Sequence, residues 1–126
     1  MQLAATRIFT DNVDTLVSFY EALTGITAAR LHPMFAELRT PAGTLAIAST
    51  ATVPLMREGI AKAGANHSVI LDFRVADVDA TYLALQSVVT DFVNEPTDMP
   101  WGNRSLLLKD PDGNLINFFT PIPDIR

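Results

Sequence analysis

The sequence predicts an α+β fold in which one βαβββ unit is written twice, and three observations carry that prediction. The first is a hairpin: Leu106, Leu107 and Leu108 lead into Lys109-Asp110-Pro111-Asp112-Gly113-Asn114, after which Leu115, Ile116, Phe118 and Phe119 form a second apolar run. Pro presets φ for a turn, Asp and Asn hydrogen-bond nearby backbone, and Gly accepts positive φ, so Pro111-Asp112-Gly113-Asn114 is a turn with a mechanism. The second is an upstream echo: Arg39, Pro41, Gly43 and Leu45 each stand 70 positions before Lys109, Pro111, Gly113 and Leu115. The third is another echo at a different offset, Val13-Asp14 standing 65 positions before Val78-Asp79, each after a strand-like run. Two echoes in the same chain order describe a duplicated module. The expected organisation is a single domain over 1–126, with repeats at about 1–50 and 67–122 and a connection at about 51–66.

Each element has a local reason. Leu3 to Thr10 alternates as a strand, with Ala4, Thr6 and Ile8 on one side and Ala5, Arg7 and Phe9 on the other. Asn12 caps the helix that follows; Val13, Leu16, Val17, Tyr20 and Leu23 recur at helical spacing, and Gly25 stops it. Ile26–Leu31, Met34–Arg39 and Thr44–Ser49 are three further strands, which close the first unit. Between Thr50 and Asn66, Pro54 to Lys62 is compatible with a short helix, but Gly59, Gly64 and the polar ending read as a connection.

Ser68 to Val75 opens the second unit as a strand, with Val69, Leu71, Phe73 and Val75 turned toward the second helix and Ile70, Asp72 and Arg74 turned away. That helix runs from Val78 to Val88, its buried side made by Val78, Tyr82, Leu83 and Leu85 or Val89. Asp91–Asn94 is a marginal strand, and Glu95–Gly102 a loop carrying Pro96 and Pro100 that feeds the hairpin.

Composition narrows the function classes. With 48% hydrophobic and 18% charged residues the chain is not disordered, and its length suffices to bury roughly two-thirds of the unfolded surface. A net charge of −5 and a pI near 4.7 disfavour nucleic acid or an anionic membrane as partner, because both require a basic face. The absence of cysteine excludes disulfides, thiolate metal sites and cysteine nucleophiles. Met1 to Arg7 lacks the basic and apolar regions of a signal peptide, and no apolar run reaches spanning length, so a soluble, cytoplasmic protein is the expectation. There is no Gly-x-Ser-x-Gly elbow and no phosphate loop.

Asn12-Val13-Asp14 with Phe19-Tyr20 on the same helix, Asp77-Val78-Asp79-Ala80, and Pro100-Trp101-Gly102 through Arg104 to Asp110-Pro111-Asp112-Gly113-Asn114 resemble the vicinal oxygen chelate superfamily, the glyoxalase, bleomycin-resistance and extradiol dioxygenase group. The resemblance implies paired βαβββ modules forming a curled, half-open mixed sheet, and a homodimer. It also implies, for the enzymatic members, a metal held by a His in the first strand of each unit and a Glu in the last strand. At those positions this chain has Ala5, Ile70 and Asn117, two hydrocarbon side chains and a neutral amide, which is a poor metal ligand. The only histidines, His32 and His67, read as loop or strand-end residues. No metal, cofactor or catalytic residue is therefore expected.

Strand parity and the repeat offset collect the side chains on the face of Ala5, Ile70 and Asn117: Arg7, Phe9, Phe35, Glu37, Leu45 and Ile47 from the first unit, and Asp72, Arg74, Ser105, Leu107, Leu115 and Phe119 from the second. Trp101 flanks them from its Pro- and Gly-bounded loop. Aromatic faces supply stacking area and a few charges fix orientation, which suits a mid-sized organic ligand; the same Phe side chains also suit a core or a dimer seam. Arg7 with Glu37, and Asp72 with Arg74, are candidate ion pairs at the rim. Within the superfamily the resemblance is to the metal-free bleomycin-resistance members, which implies sequestration of an antibiotic or similar aromatic or cationic compound, the alternative being a metal-dependent lyase, isomerase or dioxygenase.

Overall fold

The computed structural model describes residues 1–123, and the chain divides into two compact units, Met1–Asn66 and His67–Arg126. The first unit contains β1 (Ala5–Thr10), α1 (Val13–Thr24), β2 (Ala29–His32), β3 (Phe35–Arg39) and β4 (Thr44–Ser49). A 3₁₀ turn (Thr50–Thr52) and the single-turn α2 (Val53–Met56) follow. The helix sensed in the connection is thus shorter and earlier than Pro54–Lys62, with Pro54 in its first turn, where its missing N–H costs nothing. The second unit contains β5 (Ile70–Arg74), α3 (Val78–Ala84), β6 (Thr97–Asp98), β7 (Asn103–Lys109) and β8 (Leu115–Pro121).

Each unit carries one four-stranded mixed sheet, ordered β1-β4-β3-β2 in the first and β5-β8-β7-β6 in the second, open at both edges. In each, the outer strand runs parallel to the strand after the hairpin: β1 with β4, and β5 with β8. This repeated topology is the duplicated βαβββ module.

The caps fix where α1 begins and ends. Asn12 Oδ1 accepts from Thr15 N at 3.1 Å, and Gly25, at φ 71°, donates its N–H to Glu21 O at 2.8 Å. Val13, Leu16, Val17, Tyr20 and Leu23 are the buried residues of the helix, the set its periodicity predicts. In α3, Asp77 Oδ1 accepts from the N–H groups of Asp79 and Ala80. Val78, Leu85 and Val89 are buried and Tyr82 half-buried, but Leu83 is 72% exposed. At ~100° per residue Leu83 lies on the far flank from Val78, and α3 ends one residue later, which leaves it outside the buried side of the helix.

Two other expectations are corrected. Asp91–Asn94 is not a ladder strand: Phe92 makes one isolated bridge to Leu108, and the paired strand is β6, inside the segment expected to be a loop. The two hairpin turns also differ in length. Arg39 faces Thr44 across the first and Lys109 faces Leu115 across the second, so the second turn carries one more residue. The offset is 70 before the turn and 71 after it, and a one-residue slip turns a strand over. Leu45 and Ile47 therefore lie with Ala36 and Leu38 on the core face, buried, and not with Phe35 and Glu37; Ala46 and Ala48 take that place.

The extra residue has a purpose in the second turn. Asp110 is 5% exposed and Asn114 4%. Asp110 Oδ1 accepts from the N–H groups of Asp112 and Asn114, and its Oδ2 accepts from Asn114 Nδ2 at 2.8 Å. Charge-assisted bonds in a buried turn are strong and costly to orphan. Asp110→Ala is expected to lower stability by about 2–3 kcal/mol in urea unfolding, and Asp110→Asn by less, because the amide keeps one acceptor.

Candidate functional site

The second sheet has two faces of opposite character. Leu106, Leu108, Ile116 and Phe118 are buried on one, with the ring of Phe118 5.7 Å from that of Phe73. On the other, register places Ile70 beside Leu115, Asp72 beside Asn117 and Arg74 beside Phe119; Ser105 and Leu107 complete the row. Alternation along each strand makes this split unavoidable.

That second face is the floor of a groove of about 420 Å³, lined by Ile70, Asp72, Met99, Trp101, Asn103, Ser105, Leu107, Asn117 and Phe119. The volume is that of a small-molecule site. Trp101 reaches the groove from a reverse turn in which Gly102 N donates to Met99 O and Met99 N donates to Asn103 O at 2.7 Å. Pro100 sits at the position where a fixed φ helps such a turn, and Gly102 has φ 96°, a conformation that favours glycine. The turn leaves the indole 72% exposed at the groove's edge.

The polar groups in the floor are few. Asn117 Nδ2 donates to Asp72 Oδ1 at 2.9 Å, and Asn117 Oδ1 is buried without a partner among the described residues. Asp72 is the one ionisable side chain among the described residues lining the groove.

Of the side chains expected to contact a ligand, the structure gathers Trp101, Asp72, Ser105, Asn117 and Phe119 in this groove. Arg74 shares their face but not the lining, and the expected Asp72–Arg74 pair is replaced by Asp72–Asn117. In the first unit Arg7, Phe9, Phe35 and Glu37 share one face of the first sheet. Arg7 does not pair with Glu37: its guanidinium lies 5.1 Å from the centre of the Phe35 ring and donates to Met56 Sδ. Glu37 is taken by Arg39 at 2.7 Å, because residues two apart on a strand project on the same side. Met99 and Asn103 were not expected in the lining. Asn103 lies two residues before Ser105 and so was available from strand alternation; Met99 carried no such signal.

Arg104 projects to the opposite side from Asn103 and Ser105. It donates through Nε and Nη2 to both carboxylate oxygens of Asp79, and through Nη1 to Asp98 at 3.0 Å, tying α3 to β6 and β7. Its hydrogen bonds hold the Asp79 carboxyl below the usual carboxylate range, and those to Asp79 and then Asp98 push the guanidinium further up. Because the Asp79 pKa is lowered on folding, its contribution to stability is present above the ordinary carboxylate range and is lost as pH falls through the lowered value. An NMR titration is expected to return Asp79 to the ordinary range in Arg104→Met, with little change in thermal stability because these groups are in solvent.

A metal does not fit the positions at which the resemblance implies one. Ala5 and Ile70 offer no donor atom, and the Asn117 amide is held by Asp72. Among the described residues no three His, Asp or Glu side chains converge as a metal cluster requires, and none of their helices is long and apolar enough to cross a membrane.

The comparisons with known proteins agree with the fold. The family model described as Glyoxalase/Bleomycin resistance protein/Dioxygenase superfamily matches residues 2–118. A curated protein from Mycobacterium bovis named "Putative glyoxylase CFP32" is 26% identical over 127 aligned positions, covering 93% of this chain and 43% of its own length. The chain thus spans less than half of that relative. Among solved structures, a glyoxalase/bleomycin resistance protein/dioxygenase family enzyme from Burkholderia phytofirmans superimposes with a TM-score of 0.86 at 18% identity, covering 97% of this chain and all of that one. A glyoxalase/bleomycin resistance protein/dioxygenase from Nocardioides gives 0.81 at 20% identity, over all of this chain and 87% of that one. At such identities these structures speak to the fold alone.

Proposed function

This chain belongs to the glyoxalase/bleomycin resistance protein/dioxygenase superfamily, and on that premise we propose that it binds a mid-sized organic molecule in the groove beside Trp101 without a metal, sequestering an antibiotic or a similar aromatic or cationic compound. The observation that carries this reading is the composition of the groove: Trp101, Phe119, Leu107, Ile70 and Met99 supply apolar and stacking area, and one carboxylate and two amides supply orientation. The residues at the positions the enzymatic members use for a metal support binding without one. A homodimer is part of the same reading, on the resemblance alone.

The test is a titration of the purified chain with a panel of aromatic or cationic natural products, followed by the fluorescence of Trp101, the single tryptophan. Saturable quenching or a spectral shift by at least one compound is the expected result; no response from any of them at millimolar concentration overturns the reading. A metal-dependent lyase, isomerase or dioxygenase is the second reading, favoured by the name of the Mycobacterium bovis relative. It requires a tightly held transition metal, and elemental analysis of the purified protein giving less than about a tenth of an equivalent removes it.

A further inference from the structure

Resting on the groove reading above, we propose that Arg104 is a positioning residue for the groove: from the opposite face of the second sheet it holds the edge strand β6 in place, and with it the turn that presents Met99 and Trp101. β6 is two residues long and pairs with β7 alone, Thr97 opposite Ser105 and Asp98 opposite Arg104. Alternation puts Met99 on the groove face with Asn103 and Ser105, and Asp98 on the face of Arg104. The chain passes from Asp98 directly into the Met99–Gly102 turn, so what fixes Asp98 fixes the root of that turn.

The bonds from Met99 N to Asn103 O and from Gly102 N to Met99 O set the shape of the turn, and Ile122 N, donating to Gly102 O at 2.8 Å, anchors its far end. The near end hangs on a strand of two residues at the sheet's edge, which by itself does little to hold one angle to its neighbour. Arg104 supplies the missing anchor. Its guanidinium grips both oxygens of Asp79, through Nε at 2.9 Å and Nη2 at 3.0 Å, and reaches Asp98 through Nη1 at 3.0 Å. A planar fork bridging carboxylates on two elements fixes a direction as well as a distance, which a point charge does not. Asp79 is itself fixed, because it lies in the first turn of α3, capped by Asp77, and α3 packs against β7 and β8. The edge strand is thus referenced to the helix. With 36% of the Arg104 side chain exposed, the network adds little to folding. What it decides is where a short arm rests.

The first test needs no ligand. Trp101 is the only tryptophan, so the full chain gives one indole N–H resonance, whose heteronuclear Overhauser effect reports order of the ring; exchange of the Met99 and Gly102 amides reports opening of the turn. Arg104→Met is expected to lower the indole effect and to speed both exchanges at least about fivefold, with the urea midpoint unchanged. Asp98→Asn is expected to do the same, and the double variant no more than either, because all three remove one link. Arg104→Lys, which keeps the charge without the fork, is expected to follow Arg104→Met; if it matches the parent protein, charge suffices and the bridging role is overturned. If Arg104→Met leaves the indole and both amides as they are, the positioning role is overturned and the groove reading stands. The compound that quenches Trp101 in the parent protein is expected to bind Arg104→Met about threefold to fivefold more weakly, since the turn is less often in place. Undiminished affinity with a loosened turn would mean that the groove does not use this anchor, and overturns the proposal. If no compound quenches the parent protein, the groove reading falls and the proposal with it.

Discussion

Ile47→Asn is expected to cost about 3–5 kcal/mol of stability, and the reciprocal change Asn117→Ile less than about 1 kcal/mol. The two residues stand 70 positions apart, so by counting along the repeat they are counterparts. They are not counterparts in the sheets. Ile47 is fully buried beside Ile8 and Ala36, on the core face of the first sheet. An amide there loses the transfer free energy of a branched side chain and brings a polar group into a fully buried apolar layer. Asn117 faces the groove of the second sheet, where an Ile adds to an apolar floor and loses one hydrogen bond to Asp72, which is itself exposed to water. Urea unfolding followed by circular dichroism measures both. Equal losses would mean that the two fourth strands present matching faces, contrary to the register found here.

The same pair shows what the sequence made legible. Helix α1 was readable in full, caps and buried residues together, because Asn12, Gly25 and the 3.6-residue period act locally and agree. The hairpins and their order were readable for the same reason, since turn chemistry is written in consecutive residues. The faces of β4 were not. Their parity depends on the number of residues in a turn, and Thr40–Gly43 closes with Thr40 Oγ1 where Asp110 needs a longer loop to reach Asn114. Pairings between side chains were the least legible feature. Arg7 had Glu37 as its formal partner by charge, but in the folded sheet its guanidinium lies over the Phe35 ring and Arg39 reaches Glu37 along the same strand. The groove was legible in its central row, Asp72, Asn117, Ser105 and Phe119, because alternation fixes that row, and Trp101 because a large ring between Pro100 and Gly102 has little to pack against.

Trp101→Ala is expected to weaken binding of the groove's ligand by about 2 kcal/mol, roughly thirtyfold, while changing stability by no more than about 0.5 kcal/mol. Binding and stability separate at this position because the indole is 72% exposed in the free protein, so folding gains little from it. A ligand in the groove covers that ring, and the area it removes from water belongs to the complex alone. The turn that presents Trp101 is held by backbone bonds at Met99, Gly102 and Asn103, which do not depend on the side chain, so truncation removes the ring without moving the loop. Trp101→Phe, which keeps an aromatic face with less area, is expected to retain most of the affinity. The Ala variant lacks the chain's only tryptophan, so its binding is followed by calorimetry with the compound that quenches the parent protein. An unchanged affinity would show that the ligand sits elsewhere than beside the indole, whereas a loss accompanied by a lowered unfolding midpoint would mean that the ring supports the turn and not the ligand.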